Sequence, residues 1–311
     1  MTATPYASDT PPEETVDTVV IGGGAAGLNG ALMLARSRRS VVVIDSATPR
    51  NAPAEAVHGS IVLDGTPPAE LLARGREQVR GYGGRIVLGD GRTVTARRLL
   101  VATGLRDVLP DVPGLAEHWG RTVVHCPYCH GWEVRDEPIG VLATSAASVH
   151  HALLFRQLTE DLTYFTHGTS LDEDTRARFT ARGIPVVETP VREVVDDENG
   201  ALAGVRLADG RVVARRVLAV ATRMLARTEG LAGLQLPMEA LPGGMGRRFA
   251  SGTAGTTEVP GVWVAGNATD LSAQVGAAAA AGAAGAHINA MLATADTDAA
   301  LAAAQGETSA P

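Results

Sequence analysis

Apolar positions along the chain alternate between β-type runs and helical spacing. Residues 17–46, DTVVIGGGAAGLNGALMLARSRRSVVVIDS, open with a short β-rich run and pass through glycines. Leu28, Ala31, Leu32 and Ala35 then recur at helical spacing, and the β-branched run Val41 to Ile44 follows. This pattern predicts a βαβ unit. Residues 97–104, RRLLVATG, and 259–267, VPGVWVAGN, read as two further buried strands. The second runs into ATDLSAQVGAAAAAGAAGAHINAML, an alanine-rich helix suited to close packing. Between them, PIGVLATSAASVHHALLFRQLTEDLTYFTHG at 138–168 repeats the strand, helix, strand order. The expected fold class is therefore α/β, with two doubly wound units, the second inserted in the first. The expected boundaries are a flexible tail at 1–16, a discontinuous first domain at 17–117 and 235–294, the inserted unit at 118–234, and a second flexible tail at 295–311.

Glycines give the first unit its chemistry. Gly22, Gly24 and Gly27 fit G-x-G-x-x-G around Ala25 and Ala26, and Asp45 closes the second strand about twenty residues on, as a dinucleotide fingerprint requires. Gly22 permits the tight turn, Gly24 lets backbone approach a pyrophosphate, and Gly27 lets helix and strand pack closely, while the helix N-terminus attracts phosphate charge. Asp45 can accept hydrogen bonds from a ribose. The inserted unit lacks this device. Its strand-to-helix turn reads Ala143-Thr144-Ser145-Ala146-Ala147-Ser148, whose side chains would crowd a pyrophosphate. The end of its next strand, Thr166-His167-Gly168, lacks the arginines that recognise a 2′-phosphate. A nucleotide-binding architecture has here lost its nucleotide site.

Composition narrows the function. The 311 residues are 45% hydrophobic and 20% charged, a globular balance, and a formal net charge of −7 leaves no basic stripe for nucleic acid. Arg38-Arg39 and Arg215-Arg216 read as solvated surface. The start, MTATPYASDTPPEETVD, has neither the basic nor the apolar region of a secretory signal, and five glycines between Gly22 and Gly30 break the apolar run behind it. A cytoplasmic protein that is neither nucleic-acid- nor membrane-bound is expected.

The only two cysteines lie in HCPYCHGW at 125–132, with His130 directly behind Cys129. By spacing alone this is a haem attachment site, part of a zinc site, a static disulfide or a redox dithiol. Haem attachment needs an exported chain. Structural zinc needs four ligands, and Cys126, Cys129 and His130 supply three with no second C-x-x-C, so no metal is expected. In a cytosolic setting a close pair is more often catalytic than structural. As a redox pair, the two intervening residues form a short helical turn that brings the sulfurs together, Pro127 stiffens it, and a neighbouring histidine favours the thiolate. His130 is the candidate general base, with capping of the turn as its alternative. Tyr128, Trp132 and Trp119 either line a pocket for a flat heterocycle or pack in the core.

Together GGGAAG, VATG, the C-x-x-C at the start of the inserted unit and VWVAGNATD resemble the low-molecular-weight thioredoxin reductase family of flavoproteins, over about Asp17 to Leu292. Where ordinary members carry an aspartate after the second cysteine, this chain has His130. With CPYCHG and the degraded nicotinamide site, it looks most like the FAD-dependent dithiol oxidases of antibiotic biosynthesis that close the disulfides of holomycin and gliotoxin, the holomycin-forming type above all. Two departures stand out. Gly266-Asn267 replaces a Gly-Asp pair that bonds the flavin ribityl chain, and RIVLGDGRTVTARRLLVATG passes from Ile86 to the Asp90-Gly91 turn without the family's extra strands.

The resemblance implies FAD held by Gly22, Gly24, Ala25, Ala26, Gly27, Asp45, Arg50, Asn51, Ala102, Thr103, Gly104, Gly266, Asn267, Gln274 and Val275. It also implies a homodimer, with Cys129 as the flavin-proximal sulfur and Cys126 as the outer one. The expected partners are a small-molecule dithiol and O2. The dithiol would attack the enzyme disulfide at Cys126, leave as its own disulfide, and send two electrons through FAD to O2, giving peroxide. The alternatives are a disulfide reductase fed by NADPH or ferredoxin, and a non-catalytic flavin redox sensor.

Overall fold

The structure is a computed structural model that describes residues 14–88, 93–269 and 274–308. The expected βαβ unit forms from β1 (Glu14–Ile21), α1 (Ala25–Arg36) and β2 (Val41–Asp45). α2 (Pro68–Gly81) leads to β3 (Arg85–Leu88). With β4 (Val94–Val101) and β17 (Val262–Val264) these strands make a parallel sheet of order β17-β4-β1-β2-β3, so the two ends of the chain share one sheet. Near-continuous Val and Ile runs suit strands buried on both faces.

The long C-terminal helix α6 (Gln274–Thr308) packs on α1 through glycines. A Cβ on Gly285 would stand 2.7 Å from the Gly30 carbonyl oxygen, so small residues are what let these two helices touch. Ala281, Ala284, Ile288 and Leu292 bury the contact. The helix runs past residue 294, where a tail was expected, to Thr308. Asp296 anchors that extension with ion pairs to Arg39 at 2.6 Å and Arg97 at 2.5 Å. At the other end, Glu14 and Thr15, also expected in a tail, already pair with Val94 and Thr95. The Asp90-Gly91 turn lies outside the described residues.

The inserted unit is a second parallel sheet of order β6-β13-β7-β8-β9, from β6 (Val123–Val124), β7 (Ile139–Leu142), β8 (Leu162–Phe165), β9 (Val186–Val187) and β13 (Val217–Val220). α3 (Pro127–His130) follows β6, α4 (Ala147–Phe155) follows β7, and α5 (Glu173–Ala181) follows β8. Phe155, Tyr164 and Phe179 fill its core. An antiparallel sheet of β10 (Val191–Asp196), β11 (Leu202–Leu207) and β12 (Val212–Ala214) packs beside it through Val205 and Leu207.

The inserted unit ends earlier than residue 234. β14 (Arg223–Ala226) pairs antiparallel with β5 (Leu105–Val108), in a sheet completed by β15 (Met238–Ala240) and β16 (Gly246–Phe249). Met224 and Leu241 bury against Leu105, so the chain rejoins the first domain directly after β13. Composition hides this return, because β14 is as apolar as a strand of either domain.

Candidate active site

The glycine loop after β1 behaves as three separate constraints. Gly22 has φ +106°, and a Cβ there would overlap the Ala102 carbonyl oxygen. At Gly27 a Cβ would overlap the Gly22 carbonyl oxygen, so helix and turn touch main chain to main chain. Gly24, the N-cap of α1, has nothing within 4 Å of where its Cβ would stand. Folding therefore needs glycine at 22 and 27, whereas at 24 it leaves open space before the N-terminal turn of α1. Asp45 is held in place by the Gly23 amide, which donates to it at 3.1 Å, and by Arg76 at 3.2 Å.

One cavity of about 1030 Å³ runs from this loop to the cysteine pair. Gly22, Gly24, Ala25, Ala26, Asp45, Arg50, Asn51, Ala102, Thr103, Gly104 and Asn267 line it, together with Cys126, Cys129 and His130. Gly27 and Gly266 stand behind the lining; a Cβ on Gly266 would meet the Ala26 Cβ at 2.6 Å. The side chains of Gln274 and Val275 lie outside the described residues. The open cradle at Gly24, the oriented carboxylate of Asp45 and a cavity at the large end of the small-ligand range fit a dinucleotide.

Cys126 and Cys129 form a disulfide with Cα atoms 5.2 Å apart. Cys126 is extended and caps α3, and its carbonyl accepts from the Cys129 and His130 amides at 3.2 and 3.1 Å. That single turn places both sulfurs and the His130 ring on the cavity wall. The His130 Nε2 is buried and has no hydrogen-bond partner among the described residues. Burial lowers its pKa, partly opposed by Glu133 and reinforced by His58, so the ring is neutral at neutral pH.

Tyr128 lines the cavity yet is 73% exposed, and Trp132 is 66% exposed with Arg135 stacked 4.1 Å from its ring centre. Core packing, one expectation for these aromatics, holds only for Trp119, which lines the cavity and also packs against the core beside β6.

Several lining groups had no motif to announce them. Arg50 donates to both oxygens of the Asp107 carboxylate at 2.6 and 2.8 Å, and the Thr222 hydroxyl donates to it at 2.6 Å. Burial would raise the Asp107 pKa, but Arg50 and Thr222 outweigh it and hold the carboxyl below the usual range. The His125 Nδ1 sits 3.1 Å from the Val220 carbonyl oxygen and 3.3 Å from the Thr222 amide. His151 donates from Nε2 to the His125 carbonyl, its Nδ1 is buried without a partner among the described residues, and burial pushes its pKa down to about 4. His58 bridges Asp64 at 3.3 Å and Glu133 at 3.4 Å. Arg50 was expected as a cofactor-binding residue from the family resemblance and His125 stands next to Cys126; Asp107, Thr222, His151 and His58 carried no hint in the sequence.

Residues 16–285 match the family described as pyridine nucleotide-disulphide oxidoreductase. The chain belongs to this family. It is 34% identical over 257 residues to "Thioredoxin reductase tcpT" of Claviceps purpurea, covering 74% of this chain and 79% of that one. The solved structure titled "Crystal structure of HlmI" superposes with a TM-score of 0.87 at 42% identity, covering 95% of this chain and 98% of the other. An oxidoreductase from Agrobacterium tumefaciens superposes at 0.84 with 33% identity, covering 90% and 99%. The protein is thus a thioredoxin reductase-like flavin oxidoreductase with two nucleotide-binding-type domains, and its cofactor is FAD. Among the described residues no helix is long and apolar enough to cross a membrane.

Proposed function

We propose that the protein oxidises a small-molecule dithiol to its intramolecular disulfide, with O2 as final acceptor, and that the substrate is a fused heterocyclic dithiol of the holomycin type. The observation that carries this reading is the turn after β7. It holds no glycine, its side chains would crowd a pyrophosphate, and Ser148 already accepts the Thr144 amide at 3.0 Å, all of which favours electrons from a source other than NADPH. Electrons then enter at the cysteine pair. The exposed Tyr128 ring on the cavity wall suits a flat substrate.

In this reading the neutral His130 imidazole takes the proton of one substrate thiol. The thiolate attacks the Cys126 Sγ, the Sγ–Sγ bond breaks, and its electron pair leaves on the Cys129 Sγ. The second substrate thiol attacks the substrate sulfur of this mixed disulfide and releases Cys126. Substrate has then lost two electrons and two protons, and the enzyme pair has gained the electrons. The chemistry that FAD supplies when bound is a two-electron path from the reduced pair to O2, with hydrogen peroxide as product. Gly22 to Gly27, Asp45 and Asn267 would hold it, and Asp107 with Arg50 would keep the wall between the two ligands rigid.

The test is peroxide formation from dithiothreitol in air, with one peroxide per dithiol consumed. Cys126→Ser and Cys129→Ser should each reduce it by about 100-fold or more while FAD stays bound; wild-type rates in both variants would contradict the route. The resemblance also implies a homodimer in a cytoplasmic setting, and sedimentation velocity checks the dimer.

A further inference from the structure

Six carboxylate and guanidinium side chains line the cavity: Asp45, Arg50, Arg106, Asp107, Arg227 and Glu229. Five of them face an opposite charge. Asp45 pairs with Arg76 at 3.2 Å, Arg50 with Asp107 at 2.6 Å, and Arg106 with Glu229 at 3.9 Å. Arg227 is half-buried and has no carboxylate partner among the described residues; its side chain donates only to neutral oxygens of Thr48. A guanidinium on a cavity wall with no counter-charge is a ready partner for an anion.

The hydrogen bonds of Arg227 fix where that charge stands. The residue directly follows β14, in the segment that returns from the inserted unit. Its amide donates to the Gly104 carbonyl at 3.0 Å, and its carbonyl accepts from the Thr103 hydroxyl at 2.8 Å, which ties its main chain to the end of β4. The side chain reaches the other way. Nη1 donates to the carbonyl and to the hydroxyl oxygen of Thr48, each at 3.1 Å, in the loop after β2. In the sheet order β17-β4-β1-β2-β3, β1 lies between these two anchors, and the Gly22–Gly24 loop leaves β1 at this same edge. The loop is itself pinned on the β2 side, where the Gly22 amide donates to the Ile44 carbonyl at 2.8 Å. Arg227 therefore spans the carboxyl edge of the sheet from β4 to β2, past the glycine loop. Nε and Nη2 have no hydrogen-bond partner among the described residues. The N-terminus of α1 offers a phosphate main-chain donors and a partial positive charge, with no basic side chain of its own in the loop or first turn.

We propose that Arg227 is a strap across the bound FAD, supplying the full positive charge that faces the cofactor's diphosphate, with Thr48 as the residue that holds the guanidinium in position. Because both ends of the strap are tied before the cofactor arrives, little side-chain freedom is lost on binding. The assignment is independent of the electron source and holds for an oxidase or a reductase alike. Its consequence is that part of the FAD site is carried by the return segment, so cofactor retention depends on that segment as well as on the glycine loop.

The experiment measures binding and not turnover. FAD is removed from the full-length protein and titrated back, with flavin fluorescence as the readout, and ADP and adenosine are then tested as competitors of FAD. Arg227→Gln should raise the FAD Kd about tenfold or more, the usual effect of losing one charge-assisted hydrogen bond to phosphate. ADP should become a weaker competitor by a similar factor, while competition by adenosine, which has no phosphate, should be the same in both proteins. Arg227→Lys keeps the charge but not the fork that serves Thr48 and a phosphate together, so its FAD Kd should fall between those of wild type and Arg227→Gln. A rise in FAD Kd of less than about threefold in Arg227→Gln would overturn the assignment. So would an equal loss of ADP and adenosine competition, which would put the guanidinium on the adenine. Should Arg227→Gln melt well below the wild-type apoprotein, the lysine variant decides: tighter FAD binding than in Arg227→Gln supports the strap, and equal binding makes Arg227 a residue of the fold alone.

Discussion

Arg50 grips Asp107 with two hydrogen bonds across 57 residues of chain, joining the loop after β2 to the strand that leads into the inserted domain. The Asp107 side chain is 5% exposed and Arg50 32%, so this is a half-sheltered pair and not a surface one. Asp107→Asn should cost about 2 kcal/mol and lower Tm by roughly 5 °C, because Arg50 is left facing a neutral amide. The Asp107 pKa is depressed in the folded state, so the pair's contribution is present above the ordinary carboxylate range and is lost as pH falls through and below it. Melting curves of both proteins should therefore lie apart at pH 7 and converge in acid.

His151 acts in another window. Its folded pKa of about 4 against an ordinary 6.5 means that the unfolded chain takes up a proton first as pH falls. A neutral buried ring therefore contributes stability above pH 6.5, and that contribution is lost down to about pH 4. The full effect is about 3 kcal/mol at roughly 1.4 kcal/mol per unit. Burial also lowers the His125 and His130 pKa values, which steepens the same slope. Guanidinium midpoints should fall between pH 7 and 4 in the wild type, and clearly less in His151→Gln.

The glycine loop offers a contrast between two neighbours of identical type. Gly24→Val meets open space, so the apoprotein should keep its Tm while FAD affinity drops at least about tenfold. Gly27→Val drives a side chain into the Gly22 carbonyl and should lower Tm with or without FAD. Flavin fluorescence titration and melting of both variants separate binding from folding.

Replacing His130 by Gln removes a proton acceptor but keeps a side chain of similar reach. The rate of dithiol oxidation should fall by about 100-fold or more, with FAD still bound, and the variant should lose the pH dependence that the imidazole imposes. A rate and pH profile equal to wild type would leave His130 as a turn-capping residue.

Residues that act through local main-chain geometry were legible in the sequence. Gly22, Gly24, Gly27, Asp45 and the C-x-x-C turn each depend on spacing within one turn or one βαβ unit, and the structure puts all of them but Gly27, which stands behind the lining, around one cavity. What stayed hidden was set by tertiary contact. Thr222 reaches Asp107 from 115 residues away, and His151 reaches the His125 carbonyl from the middle of a helix that reads as ordinary core. The end of the inserted domain was misplaced for the same reason, since only its pairing with β5 assigns β14 to a sheet. The extension of α6 to Thr308 depends on Arg39 and Arg97 meeting Asp296, again an alignment that no local pattern carries.

The direction of electron flow is the central claim, and anaerobic bleaching of the bound flavin tests it most directly. One sample of the FAD-loaded protein receives excess NADPH and another a small dithiol. The flavin absorbance should be lost with the dithiol alone, recover on admitting air, and stay unchanged in Cys126→Ser. Rapid bleaching by NADPH would contradict it and make the protein a nicotinamide-fed disulfide reductase.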